Sequence, residues 1–147
     1  MCGILGIVSK KEFSVKNDLL KALKRLEYRG YDSVGYVDSS GHAETAVGYI
    51  DDFVKKLAER KTKIAIAHTR WSTHGGVTEE NAHPHFNETR DFFIVHNGII
   101  ENYEELKSML KGRGHKFSSE TDSEVVVHYF EDKLSEKPET EAIKDFI

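Results

Sequence analysis

The chain has 147 residues, 38% hydrophobic and 31% charged, with 21 lysines and arginines against 25 aspartates and glutamates for a formal charge of −4. This balance suits one globular domain with one core rather than a disordered chain. There is no basic surplus for nucleic acid or an anionic membrane, and no apolar run approaches the roughly twenty residues that span a bilayer.

The first apolar run, Gly3 to Val8, is followed too soon by Lys10, Lys11 and Glu12 to be a secretory signal. It reads as a buried strand, with glycines at 3 and 6 for close backbone approach. Ser14 is a candidate N-cap, and Val15, Leu19, Leu23 and Leu26 share one helical stripe. YRGYDSVG turns into a strand over Val34 to Val37. Asp38 to Gly41 is a turn, and Ala43 to Val47 is its hairpin partner. A short helix covers Asp51 to Ala58, and KIAIAH, Lys63 to His68, alternates as a strand. Trp71 to Phe86 has no clean period and reads as a long functional loop. Asp91 to His96 is a second buried strand, ending at Asn97-Gly98.

Asn102 with Glu105 predicts a capping box for a helix carrying Tyr103, Leu106 and Leu110, ended by Gly112 and Gly114. Thr121 with Glu124 predicts a second capping box and a helix to about Leu134. Pro138 starts a last helix, still repeating at Ile147. The fold class is therefore α+β.

The single cysteine, Cys2, cannot make an internal disulfide, so a reducing cytoplasm is expected. Loss of Met1 would give Cys2 both a thiol and a free α-amine. The amine titrates near pH 8 (about) and can take the thiol proton. By position alone Cys2 reads more simply as a small buried hydrophobe. Asn97 and the Gly98 N–H could supply two oxyanion donors, though Asn-Gly is also a plain turn. Arg70 could grip a carboxylate, with Thr73 and His74 beside it and Gly75-Gly76 letting the loop close. Asp122, near a helix start, could hold an ammonium group. His68, His74, His83, His85 and His96 crowd one stretch, yet no H-E-x-x-H or second cysteine accompanies them, so no metal and no cofactor is expected.

MCGILG at 1–6, RLEYRGYDSVG at 25–35, IAHTRWSTHG at 66–75, NAHPH at 81–85, VHNGIIENY at 95–103 and SETDSE at 119–124 occur in this order. Together they resemble the class II glutamine amidotransferases, which are N-terminal-nucleophile (Ntn) hydrolases. YRGYDS and HTRWST are similar to the branch that makes glucosamine 6-phosphate. The resemblance implies a four-layer α/β/β/α sandwich. It implies Cys2 as nucleophile with its α-amine as base, and Asn97 and Gly98 as the oxyanion hole. Arg70 would bind the glutamine carboxylate and Asp122 its ammonium. Thr73, His74 and His83 would line the pocket, Trp71 would stand where ammonia leaves, and Arg29 would support Cys2 from beneath.

It also implies that residues 1–147 are the N-terminal portion of a longer glutaminase domain, with the sugar isomerase domains absent. An incomplete sheet would expose apolar surface. The expected reaction is hydrolysis of L-glutamine to glutamate and ammonia, the ammonia aminating fructose 6-phosphate in a full-length homodimer. The alternatives are a non-catalytic glutamine-binding fragment, the glutaminase of another class II enzyme, or a hydrolase built on the histidines. Gly76 and Val77 depart from the family, which often places a proline two residues after the lid His-Gly.

Overall fold

A computed structural model describes residues 2–73 and 75–146. Its first strand, β1 (Gly3–Ser14), leads into a helical run that is π over Val15–Leu20, α over Lys21–Leu23 (α1) and 3-10 over Lys24–Arg29. Strands β2 (Ser33–Asp38) and β3 (Ala43–Val47) form the expected hairpin. Helix α2 (Ile50–Lys56) and strand β4 (Lys61–Arg70) follow. The four strands make one antiparallel sheet in the order β1-β4-β2-β3. Two short strands, β5 (His85–Phe86) and β6 (Phe93–Ile94), pair separately. Helices α3 (Tyr103–Gly112), α4 (Glu124–Leu134) and α5 (Glu139–Phe146) complete the chain.

Ser14 caps the first helical run as expected: its hydroxyl accepts the Asn17 N–H at 3.0 Å, and Asp18 accepts the Ser14 N–H at 2.7 Å. That run lays Leu19, Leu20 and Leu23, all fully buried, against Val34, Tyr36, Ala65 and Ala67 of the sheet. Each such leucine contributes about 1.5–3 kcal/mol on leaving water. A second core joins α3, α4 and α5 through Leu110, Val125, Val126 and Ala142, with Phe92 and Ile94 beneath them. The layers therefore run helix, four-stranded sheet, short sheet, helix. No helix among the described residues is long and apolar enough to cross a membrane.

Four expectations need correction. β1 is half-buried, and on one face only. Leu5 and Ile7 face the helices, whereas Ile4 and Val8 are 40% and 80% exposed, beside an exposed Ile64. Alternate residues of a strand point to opposite faces, and this corner of the second face is bare.

The expected strand Asp91 to His96 shrinks to Phe93–Ile94, both only half-buried. Side chains take the backbone groups a longer ladder would use: Asn87 Oδ1 accepts the Asp91 and Phe92 N–H groups, and His83 Nδ1 accepts that of His96.

Helix α3 starts where expected, but Asn102 makes no side-chain cap. Helix α4 starts after Ser123, again without a capping box. Glu124 instead reaches back and accepts the N–H groups of Ser118 and Ser119, both at 2.7 Å, and both their hydroxyls. Thr121 bonds the His85 ring at 2.8 Å. The acid therefore ties down the loop before the helix rather than its first turn.

Candidate active site

The register of the sheet places Cys2. Gly3 lies opposite Thr69, so the residue before β1 falls beside the end of β4, at Arg70 and Trp71. The Gly3 N–H donates to Thr69 Oγ1 at 3.2 Å, and the Trp71 N–H points at Cys2 Sγ from 3.5 Å. From below, Arg29 Nε donates to the Cys2 carbonyl at 3.3 Å. Gly30 makes this packing possible, because a Cβ there would stand 2.6 Å from the Arg70 carbonyl carbon and the Trp71 nitrogen.

The other wall comes from the turn after β6 and the start of α4. The Cys2 N–H donates to Asn97 Oδ1 at 3.3 Å. With Met1 attached, that nitrogen is an amide; removal of Met1 leaves an amine at the same place. Asp122 is buried, and its Oδ2 accepts the Ile100 N–H at 2.7 Å. The resulting cleft has a volume of about 200 Å³. Cys2, Arg70, Trp71, Thr73, His83, Asn97, Gly98 and Asp122 all line it, so eight of the ten residues singled out from the sequence converge on one cavity. Arg29 lies beneath it, and His74 falls outside the described residues.

Sequence reasoning placed four other participants nowhere in the pocket. Asn81 and Glu120 pin the loop after Arg70: Asn81 Nδ2 and Arg70 both donate to the Gly76 carbonyl at 3.0 Å, and Glu120 accepts from Gly76 N and Asn81 Nδ2 at 3.1 Å. His96 and Ser123 line the cleft and bond each other at 2.9 Å. Asn81 and Glu120 do fall inside quoted motif blocks, but their pairing spans 39 positions and leaves no local signature.

Charge in the cleft is divided. Burial draws the Arg70 guanidinium below its ordinary range, and the carboxylates of Asp32 and Asp122 oppose that shift. Three imidazoles cluster beside it: His83 lies between His68, on which it stacks, and His85, to which it is tilted, with ring centroids 4.2 and 4.3 Å away. Burial lowers His68 to about 3 and His85 to about 4, and puts His83 well below the usual range. Repulsion from Arg70 and the neighbouring imidazoles adds to this, while Glu124 and Asp122 pull His85 back up. All three are neutral at physiological pH.

Their pH dependence follows from linkage. The unfolded chain protonates these groups below their ordinary value of 6.5, whereas the folded chain resists until about 4 and 3 for His85 and His68. The stabilisation is complete above pH 6.5 and is lost as pH falls. The slope is up to about 1.4 kcal/mol per pH unit for each histidine. Urea unfolding between pH 6.5 and 5, above the carboxylate range, should show this fall, with the three imidazole NMR signals still neutral at pH 5. A flat profile would contradict it.

Comparison with known proteins fits this geometry. Residues 52–137 match a family model described as a glutamine amidotransferase domain. The chain is 52% identical to the isomerising glutamine–fructose-6-phosphate aminotransferase of Aquifex aeolicus, over 87% of this chain and 22% of that protein. It is 47% identical to the same enzyme of Pectobacterium atrosepticum, over 100% of this chain and 25% of that protein. It is similar in structure to the glutamine phosphoribosylpyrophosphate amidotransferase of B. subtilis, with a TM-score of 0.77, 26% identity, and coverage of 99% of this chain and 32% of that one. The chain thus spans about a quarter of the length of the curated relatives it matches.

Proposed function

This chain belongs to the glutamine amidotransferase domain family, and on that premise we propose that it hydrolyses L-glutamine through Cys2. The observation carrying this reading is the convergence of the Cys2 thiol, a buried cation and a buried carboxylate on one cleft. A free amino acid presents one carboxylate and one ammonium. Arg70 answers the first by a charge-assisted pair, and Asp122 the second.

With Met1 gone, the α-amine takes the thiol proton and Sγ attacks the side-chain amide carbon. Asn97 and the Gly98 N–H meet the developing oxyanion. The intermediate collapses to a γ-glutamyl thioester and ammonia, the amine returning the proton to the leaving nitrogen. Water then attacks the thioester with the same amine as base, releasing glutamate and restoring the thiol. Thr73, His74 and His83 shape the pocket. Trp71, 44% exposed at its rim, stands on the side from which ammonia leaves.

In the whole protein, this ammonia aminates fructose 6-phosphate. The names of the relatives and the YRGYDS and HTRWST blocks favour that acceptor over phosphoribosylpyrophosphate. The synthase portion that binds the sugar lies outside these 147 residues, and the whole protein works as a cytoplasmic homodimer.

The two charge contacts supply the test. Arg70→Gln and Asp122→Asn each remove a charged hydrogen bond worth about 1.5–3 kcal/mol. Each should lower kcat/KM for glutamine about 10- to 150-fold. Wild-type protein should also reject an analogue lacking the α-ammonium, and Asp122→Asn should discriminate far less. Unchanged glutamine kinetics in both variants would place the substrate elsewhere.

A further inference from the structure

Farther along α4 from the cleft, a second group of polar side chains gathers. His128 and Glu131 stand one turn apart on α4, and His115 comes from the segment after α3. We propose that His115, His128 and Glu131 form a site for a divalent metal ion of the zinc type.

Both histidines aim the same atom at the same oxygen. His115 Nδ1 lies 3.3 Å from Glu131 Oε2, and His128 Nδ1 lies 3.5 Å from it. A tetrahedral ion with metal–donor bonds of about 2.0–2.1 Å has donor–donor edges of roughly 3.3–3.4 Å. The three donor atoms lie within 4.8 Å of one another.

Hydrogen bonds among the described residues leave this group unsatisfied at His128. His128 is 1% exposed, yet neither of its ring nitrogens has a hydrogen-bond partner. An unsatisfied buried polar group is costly, and a metal bond at Nδ1 removes half of that deficit.

The outer groups point the same way. The far nitrogen of each ring faces its own carboxylate: His128 Nε2 is 3.7 Å from Glu124 Oε1, and His115 Nε2 is 3.9 Å from Asp132 Oδ1. Glu131 Oε1 accepts from Asn87 Nδ2 at 3.0 Å, which leaves Oε2 directed at the two rings. Carboxylates behind ligating histidines fix the tautomer and raise ligand basicity. Two imidazoles and one carboxylate suit Zn(II), Co(II) or Ni(II), and not the all-oxygen preference of Ca(II) or Mg(II). Partial exposure of His115 and Glu131, at 13% and 24% of their side chains, gives the ion a way in and leaves a fourth position for water.

The site departs from the expectation that the chain binds no metal, and it uses none of the five histidines weighed from the sequence. Its consequence is structural. The ion ties the middle of α4 to the segment after α3 and, through Asn87, to the loop before β6. Asp122 and Ser123 enter the cleft from the start of the same helix.

The probe is Co(II) added to the chelator-treated full chain, followed by displacement with Zn(II). Wild-type protein should bind one Co(II) with the intense visible bands of a tetrahedral ion, and its Tm should rise with Zn(II) concentration. His115→Gln and Glu131→Gln should each weaken binding at least about a hundredfold, since even loss of an outer partner costs about 10- to 100-fold. Cys2→Ala should leave it unchanged. X-ray absorption at the zinc edge of the unmutated protein should show imidazole and oxygen scattering without sulfur. Absence of the Co(II) bands, binding that survives both substitutions, or sulfur in the zinc shell would overturn the proposal.

Discussion

Cys2→Ala should lower glutamate release from glutamine by at least about a thousandfold, while calorimetry finds glutamine binding within a few-fold of wild type. A missing nucleophile removes the covalent route entirely, and what remains is hydrolysis assisted by positioning and oxyanion donors. Glutamine itself is held by Arg70 and Asp122, which the substitution does not touch. Retention of Met1 should have nearly the same effect by a different cause. The thiol then stays in place, but the nitrogen near Asn97 Oδ1 is an amide, which cannot accept a proton at neutral pH. Preparations with and without Met1, compared by coupled assay and intact mass, separate the two requirements. Turnover within tenfold of wild type in either case would show that the chemistry resides in another group.

Gly35→Ala should cost about 3 kcal/mol or more, at the top of the overpacking range. Gly35 lies on β2 with its face toward the loop bearing His83. A Cβ there would stand 2.1 Å from the His83 carbonyl oxygen, 2.8 Å from Thr45 Cγ2 and 3.1 Å from the Glu44 carbonyl oxygen. Two of those three atoms are backbone, so no rotamer change relieves the clash. The displacement would travel: His83 Nδ1 accepts the His96 N–H, and Asn97 follows. Urea unfolding should show a lowered midpoint at unchanged slope, together with reduced glutamine turnover. Gly112→Ala is the control, because nothing lies within 4 Å of a Cβ there. At the end of α3 it should be neutral or stabilising by up to about 1 kcal/mol. Equal stability of Gly35→Ala and wild type would mean that the sheet and the His83 loop are not packed as described.

These two residues also show how much of the molecule was legible beforehand. The hairpin β2–β3, the strand β4 and all the later helices follow from period and turn chemistry, which act over a few neighbours. Cys2, Arg70, Asn97 and Asp122 stand out by residue type and motif; the sheet register sets the first two side by side, and the turn after β6 and the start of α4 bring in the others. Effects that depend on distant partners were not readable. Gly35 looks like any strand glycine until His83 is seen above it. Asn102 and Thr121 carry capping signatures, yet the backbone before α3 and the serines before Glu124 settle those termini otherwise. The apolar run around β6 promised a buried strand, but Asn87 and His83 claimed its hydrogen bonds first. His115 and His128 lie 13 positions apart with no metal-binding motif between them, so only the fold sets their Nδ1 atoms on one oxygen.

The most direct measurement is intact and peptide mass spectrometry of Met1-free protein treated with a glutamine analogue bearing an electrophile in place of its side-chain amide. One adduct per chain should form, localised to Cys2, and excess L-glutamine should slow its formation. Arg70→Gln should slow labelling further. Modification at another residue, or labelling of Cys2 that glutamine fails to protect, would contradict the account.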